Sequence, residues 1–268
     1  MDKLHHSELT GKIIGAYYDV YNGLGQGYPE YIYEQAMMRT LERSAIPCAR
    51  QDEYEIYYKE WLAGVQRLDI FVAGEVVVGL KVRPELSPIN VVQTVSYLKT
   101  VGKEVGLLFN FGGSEPEFKR VIHTFKEQPS LSAVQQEVKP NLLFPELSYE
   151  VIGSLFAVHH VLGPGFVYRI YANACYREMQ SRGLDVRPLK QMTVYYQGEI
   201  LGTVKLDHLL VEGCLMVFPV AISDLGNMKP QNLRHWMASQ QISLGILANF
   251  NDTQLKPVFM KETGSYCS

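Results

Sequence analysis

Cysteine is scarce in this chain. Only four of 268 residues are cysteines (Cys48, Cys175, Cys214 and Cys267), and no two form a Cys-x-x-Cys pair. That spacing excludes a zinc ribbon. Free thiols in a reducing cytosol, and so a cytoplasmic protein, are the expectation. Long apolar runs are missing as well. None approaches the roughly 20 residues that a membrane-spanning helix needs, so no membrane span is expected. The first eight residues hold no apolar signal core, and the adjacent His5 and His6 read as solvated rather than as a metal site. An excess of positive charge is the third absence. Lys and Arg number 25 against 28 Asp and Glu, a net charge of −3. Through His123 the count is 13 basic and 16 acidic residues, and the remainder holds 12 of each. Nothing here makes a broad electrostatic footprint for nucleic acid; binding it would require a local basic cleft.

What remains is ordinary globular material: 47% hydrophobic and 20% charged. The length suits two domains of about 120–130 residues, each able to bury its own core. A repeat bears this out. The stretch Gly23-Leu24-Gly25-Gln26-Gly27-Tyr28-Pro29-Glu30-Tyr31-Ile32-Tyr33 has a second copy at Val161 to Tyr171. Gly27 and Gly165 are 138 residues apart, as are Tyr33 and Tyr171. Leu9/Leu147, Ile14/Ile152, Tyr57/Tyr195, Leu68/Leu206 and Asp69/Asp207 keep the same offset, which becomes 139 at Gly106/Gly245. Agreement over so many landmarks indicates a duplication. The expected layout is a first module over 1–123, a linker over 124–146 rich in Pro, Gln and Ser, and a second module over 147–268.

Within the first module, Leu9, Ile13, Ile14, Tyr17, Val20 and Tyr21 recur at helical spacing and predict a helix over 8–24. The glycines break it, and Pro29 opens a second helix over 30–44. Strands are predicted at 54–58, 65–72 and 75–82, the last two joined by the tight Ala73-Gly74 turn. A helix over 88–101 and a buried strand over 105–111 follow, with a short strand after Phe118. The second module repeats the order: helices over 147–162 and 167–182, strands over 193–196, 204–211 and 214–222, a helix over 231–240 and a strand over 244–250. The fold class is therefore α/β, two tandem modules with an α-β-β-β-α-β core and an extra leading helix, each a mixed sheet flanked by helices. The two modules are expected to pack together as a pseudo-dimer.

Chemistry concentrates in the first module. Glu30 sits in the first turn of a helix, where the helix dipole alone favours an acid. Asp69 lies in an apolar strand and Lys81 near the end of the next, and buried charges of this kind need partners or a metal. Gln93 and Tyr97 lie one turn apart on the following helix. Taken together, Gly27-x-x-Glu30-x-x-Tyr33, Arg67-Leu68-Asp69-Ile70, Val77-Val78-Gly79-Leu80-Lys81 and Gln93-x-x-x-Tyr97 resemble the GxxExxY family, a branch of the PD-(D/E)XK nuclease superfamily. The resemblance covers about residues 9–122 and, more weakly, 147–260. It implies that fold. It also implies a site in which carboxylates hold Mg2+ or Mn2+ and a lysine positions the attacking water.

The sequence departs from this pattern where the family's strand has Glu-x-Lys. Here it reads Gly79-Leu80-Lys81, so the second acid is missing. Glu75 shares the strand's parity, but at ~3.3 Å per residue it lies about 13 Å away. Glu30 with Asp69 is the remaining metal pair, completed by Lys81 and Gln93 if the module is active. Otherwise Lys81 pairs with Asp69 or Glu30 as a relic, and no cofactor is expected. The second module keeps only vestiges. Tyr168 replaces the helix acid, Asp207 survives, Val217 and Pro219 stand at the Glu-x-Lys positions, and Asn232 (or Gln231) replaces Gln93. His208 is adjacent to Asp207 and so faces the other side of its strand, which excludes a metal pair. Trp236 reads as packing rather than as a base-stacking platform, and Cys175 and Cys214 as packing cysteines. The expected function is that of a non-catalytic pseudonuclease, a scaffold or interaction subunit with a protein partner or self-association. The alternatives are a metal-dependent nuclease working through the first module and a nucleic-acid binder that does not cut, the latter unsupported by the charge.

Overall fold

The structure is a computed structural model that describes residues 6–50, 52–124, 143–222 and 225–261. Residues 125–142, most of the expected linker, lie outside the described residues. The rest falls into two compact units: 6–56 with 65–124, and 57–64 with 143–261.

The first unit opens with α1 (Ser7–Leu24) and α2 (Glu30–Arg43). Ile13, Tyr17, Val20 and Tyr21 of α1 and Tyr33, Met37 and Leu41 of α2 fall on inward faces, and all are buried. α1 stops at Gly25, whose φ of 66° lets its amide turn back to the Tyr21 carbonyl. The strands are β1 (Cys48–Arg50), β2 (Glu53–Tyr58), β3 (Trp61–Arg67), β4 (Ile70–Val72), β5 (Val76–Lys81), β6 (Val105–Asn110) and β7 (Glu117–Ile122), with α3 (Pro88–Val101) between β5 and β6. The main sheet has the order β1-β4-β5-β6-β7. β5 and β6 are parallel, and the other pairs are antiparallel. The crossover through α3 makes that parallel pair, and both strands are buried on both faces, which is why they read as unbroken apolar runs. The Ala73-Gly74 turn joins β4 to β5 as expected, with both residues at positive φ.

The second unit repeats the plan. α4 (Pro145–Leu162) and α5 (Tyr168–Ser181) precede β8 (Val186–Tyr196), β9 (Glu199–Val211) and β10 (Leu215–Val220); α6 (Gln231–Ser239), β11 (Leu244–Asn249) and β12 (Val258–Lys261) follow. Its sheet runs β8-β9-β10-β11-β12, and β10 and β11 are again the parallel pair. The structure thus has two mixed α/β modules, each with a five-stranded sheet flanked by helices. In both, a glycine lets the crossover helix approach the sheet. A Cβ at Gly106 would stand 2.8 Å from Thr94, and one at Gly245 would stand 2.6 Å from Met237 Sδ.

The strand expected over 65–72 is split. β3 pairs with β2 as a separate two-stranded ribbon, β4 joins the main sheet, and Asp69 lies at the bend between them. In the second unit β9 runs unbroken through the matching position, and register shifts between Leu189/Gln191 and Val194/Tyr195 absorb the strain. No helix among the described residues is long and apolar enough to cross a membrane.

Candidate functional site

The glycine break and its tyrosine are the first part of the site to come into focus, and they prove to be scaffolding. Tyr33 Oη donates to the Gly25 carbonyl at 2.8 Å and accepts from the Tyr28 amide at 3.3 Å. Tyr171 repeats this 138 residues later, donating to Gly163 O at 2.7 Å and accepting from Phe166 N at 3.0 Å. Each hydroxyl satisfies a carbonyl freed where the first helix ends and an amide of the loop beyond it. Each ring also stacks on a phenylalanine after the parallel strand: Tyr33 on Phe111 at 4.4 Å, Tyr171 on Phe250 at 4.5 Å. The asparagines before those phenylalanines are matched too. Asn110 Oδ1 accepts from the Arg83 and Gly112 amides, and Asn249 Oδ1 from those of Ile222 and Asn251.

The charged residues of the first unit meet at the C-terminal end of β5. The β4–β5 ladder ends at the Ile70–Val78 pair. Beyond it the Leu80 amide is taken by the Asp69 carboxylate, Oδ2 to N at 2.8 Å. The bend at Asp69 turns a side chain into the next rung of the ladder. The same oxygen lies 3.7 Å from Lys81 Nζ, which also donates to Leu80 O at 2.8 Å. Both side chains are largely buried, so the pair is screened little by water. Glu30, the first residue of α2, is exposed, yet its carboxyl is pushed above the usual carboxylate range. Partial desolvation is the main cause; Lys81 pulls the other way, Asp69 and Glu34 add to the rise, and Arg83 opposes it. Tyr97 is raised by burial and then by Asp69 and Glu30, and Gln93 Nε2 donates to its hydroxyl at 2.8 Å. The structure therefore brings Glu30, Asp69, Lys81, Gln93 and Tyr97 into one neighbourhood.

Gly79 lies on β5 beside them. A Cβ there would stand 3.2 Å from Leu108 Cδ1, 3.6 Å from Thr94 Oγ1 and 4.0 Å from Asp69 Oδ2. The space next to Asp69 is thus lined by a leucine and a threonine. A hard divalent ion wants several oxygen ligands. Asp69 offers one carboxylate that already accepts an amide and faces an ammonium, and Gly79 offers none. Among the described residues, no group of three or more His, Cys, Asp and Glu side chains is arranged to hold a metal ion. Glu30 and Asp69 are the two carboxylates left for Mg2+ or Mn2+, and Asp69 is already engaged.

In the second unit the vestigial residues go to other partners. Asp207 is paired with Arg169 of α5, Oδ2 to Nε at 3.2 Å. Arg169 Nε also lies 3.3 Å from the Tyr168 hydroxyl, so the arginine bridges the two residues that match Asp69 and Glu30. Asn232 Oδ1 accepts the Tyr195 amide at 3.0 Å. The register corrects the expected match by one residue: Lys81 pairs with Asn110 and Val220 with Asn249, so Val220 stands at the lysine position, Phe218 at that of Gly79 and Pro219 at that of Leu80, past the last β9–β10 rung at Val217–Leu209, where a missing amide costs nothing. His208 is fully buried; its Nδ1 is 3.0 Å from Leu206 O and its Nε2 accepts from Trp236 Nε1 at 2.9 Å. That bond makes Trp236 a packing residue, as expected. Arg169 is the residue that the sequence reading missed. The signal was present: Asp207 had lost its strand lysine, and a basic residue stands beside Tyr168 where the first copy has Tyr31.

No curated protein and no solved structure matches the chain. A family model described as the PD-(D/E)XK nuclease superfamily matches residues 7–121 and again 145–261. The two matches fall on the two repeats of the α/β plan, with Asp69 and Lys81 inside the first and Asp207 inside the second. The chain belongs to the PD-(D/E)XK nuclease superfamily as a tandem pair of its modules.

Proposed function

We propose that this chain is a non-catalytic pseudonuclease of the GxxExxY branch that serves as a scaffold or interaction subunit. The observation that carries the reading is the use made of Asp69. Its carboxylate closes the sheet at the Leu80 amide and is offset by Lys81, while Gly79 leaves no second acid beside it. The pairing of Asp207 with Arg169 supports the same reading for the second unit. A second reading, metal-dependent hydrolysis of phosphodiesters through Glu30, Asp69, Lys81 and Gln93, is favoured by the mutual electrostatic influence of Glu30, Asp69 and Lys81. Purified protein incubated with single- and double-stranded DNA and RNA, with Mg2+ or Mn2+, decides between them. The expected outcome is no cleavage, and no heat of metal binding by calorimetry. Metal-dependent cleavage that disappears in Asp69→Ala would sink the pseudonuclease reading.

A further inference from the structure

The two hairpin tips at matching positions have different fates. Residues 57–64, the tip of the β2–β3 hairpin, belong to the second compact unit and are seated on α5. Tyr58 is fully buried, and its hydroxyl donates to Glu178 Oε2 at 2.8 Å. Lys59 Nζ reaches the same oxygen at 2.6 Å. Asn173 Nδ2 donates to the Ala63 carbonyl at 2.8 Å. Gly64 lies so close to the helix that a Cβ would stand 2.9 Å from Ile170 Cγ1.

The tip of the β8–β9 hairpin, residues 195–202, is the copy of 57–64 at the 138-residue offset. It is bare. Tyr196 is 61% exposed, Ile200 67% and Leu201 66%, and no atom lies within 4 Å of a Cβ built on Gly202. Three large apolar side chains exposed within one hairpin tip mark a contact element. The helix that matches α5 is α2, where Tyr31 is 54% exposed and Gln35 is exposed.

Carrying each seated contact across the repeat gives a partner of suitable chemistry. Gly64 on Ile170 becomes Gly202 on Ile32, an identical pair. Asn173 to the Ala63 carbonyl becomes Gln35 to the Leu201 carbonyl, an amide for an amide. Tyr58 on Glu178 becomes Tyr196 on Thr40, a hydroxyl on a hydroxyl. Lys59 and Glu178, the ion pair of the seated tip, become Gln197 and Thr40. Both partners of the ion pair are neutral in the copy, so seating the second tip would strand neither of them; Glu199, at the place of Trp61, is the charge the tip carries. Matched changes on the two sides are the charge complementarity that an interface requires.

We infer that the tip at 195–202 docks on α2 of a second copy of this chain, along Ile32, Gln35 and Thr40, in the way that 57–64 sits on α5. Two copies that each lend a tip to the other's α2 form a twofold dimer. The inference goes beyond the scaffold reading and stands whether or not the chain cuts nucleic acid, so a failure of one leaves the other to its own assay.

The test is sedimentation velocity of the full chain across a wide concentration range. A monomer–dimer equilibrium is expected. The double substitution Ile200→Asp with Leu201→Asp, at exposed positions, is expected to weaken it by roughly a hundredfold, with the melting curve unchanged at concentrations where both chains are monomers. As a positional check, a Gln35→Cys chain mixed with a Leu201→Cys chain should give a disulfide-linked dimer on mild oxidation, above the level of either chain alone. A monomer at every concentration overturns the inference. So does a dimer indifferent to the aspartates, or a mixture that links no better than the single variants.

Discussion

Tyr33 and Tyr171 make the same bonds to matching backbone positions of their own units, whereas Asp69 and Asp207 are offset by different cations from different elements. Lys81 comes from a strand and Arg169 from a helix. The contrast follows from what each interaction demands. A hydroxyl that bridges a freed carbonyl and a loop amide must sit at one point on one helix. A carboxylate needs only a cation within a few ångströms, and any neighbouring element can supply it. The tyrosine, phenylalanine and asparagine contacts of the scaffold are therefore matched pair for pair, while the charged positions have been re-solved locally. Catalysis is the more demanding case, because it needs several charges at once in one geometry, and Gly79 supplies none beside Asp69.

The scaffold half of the comparison predicts the largest effects. Phe111 and Phe250 are fully buried beneath the two tyrosine rings in matching stacks. Truncating either to alanine removes a ring and leaves a cavity, at a cost of about 3–5 kcal/mol. Urea unfolding of Phe111→Ala and Phe250→Ala is expected to show losses that agree within about 1 kcal/mol of each other. A much smaller loss in one unit would break the claim that the two scaffolds are equivalent.

The charged half predicts inequality. Asp69→Ala strips a strand amide of its acceptor and leaves a largely buried lysine without its offset, which costs about 2–3 kcal/mol. Asp207→Ala removes only a pairing with an arginine that is 60% exposed, and is expected to cost far less. The same urea series measures both. Equal costs would mean that Arg169 does for Asp207 all that Leu80 and Lys81 do for Asp69.

Much of this was legible before any coordinates. The two helices, the Ala73-Gly74 turn and the buried strand from Val105 follow from period and turn chemistry, and motif order is what picked out Glu30, Asp69, Lys81, Gln93 and Tyr97. What escaped depends on contacts distant in sequence or on elements too short for a period. β1 has three residues and β12 four, fewer than alternation can reveal. The split at Asp69 is set by a side chain competing for the Leu80 amide, which no local propensity encodes. The seat of Tyr58 on Glu178 was hidden for the same reason: a partner 120 residues away leaves no local trace.

Glu30 gives the smallest effect and the finest test of the difference between the units, because Tyr168 leaves the second unit with no acid to titrate at that place. Its carboxyl is held above the usual carboxylate range, so the folded state binds that proton more tightly than the unfolded chain does. Stability from this source is full below the unfolded value and is lost as pH rises through the folded one. Against Glu30→Gln, the native chain should therefore lose ground over that window and run parallel to it on either side. Carbon-13 NMR of the Glu30 carboxyl reads the causes separately. With Lys81→Met the midpoint should move further up, since the lysine pulls it down; with Asp69→Asn it should fall, since that carboxylate pushes it up. A midpoint that ignores both substitutions would mean that Glu30 stands apart from Asp69 and Lys81. The neighbourhood that makes the first unit look like a site would then be three separate residues.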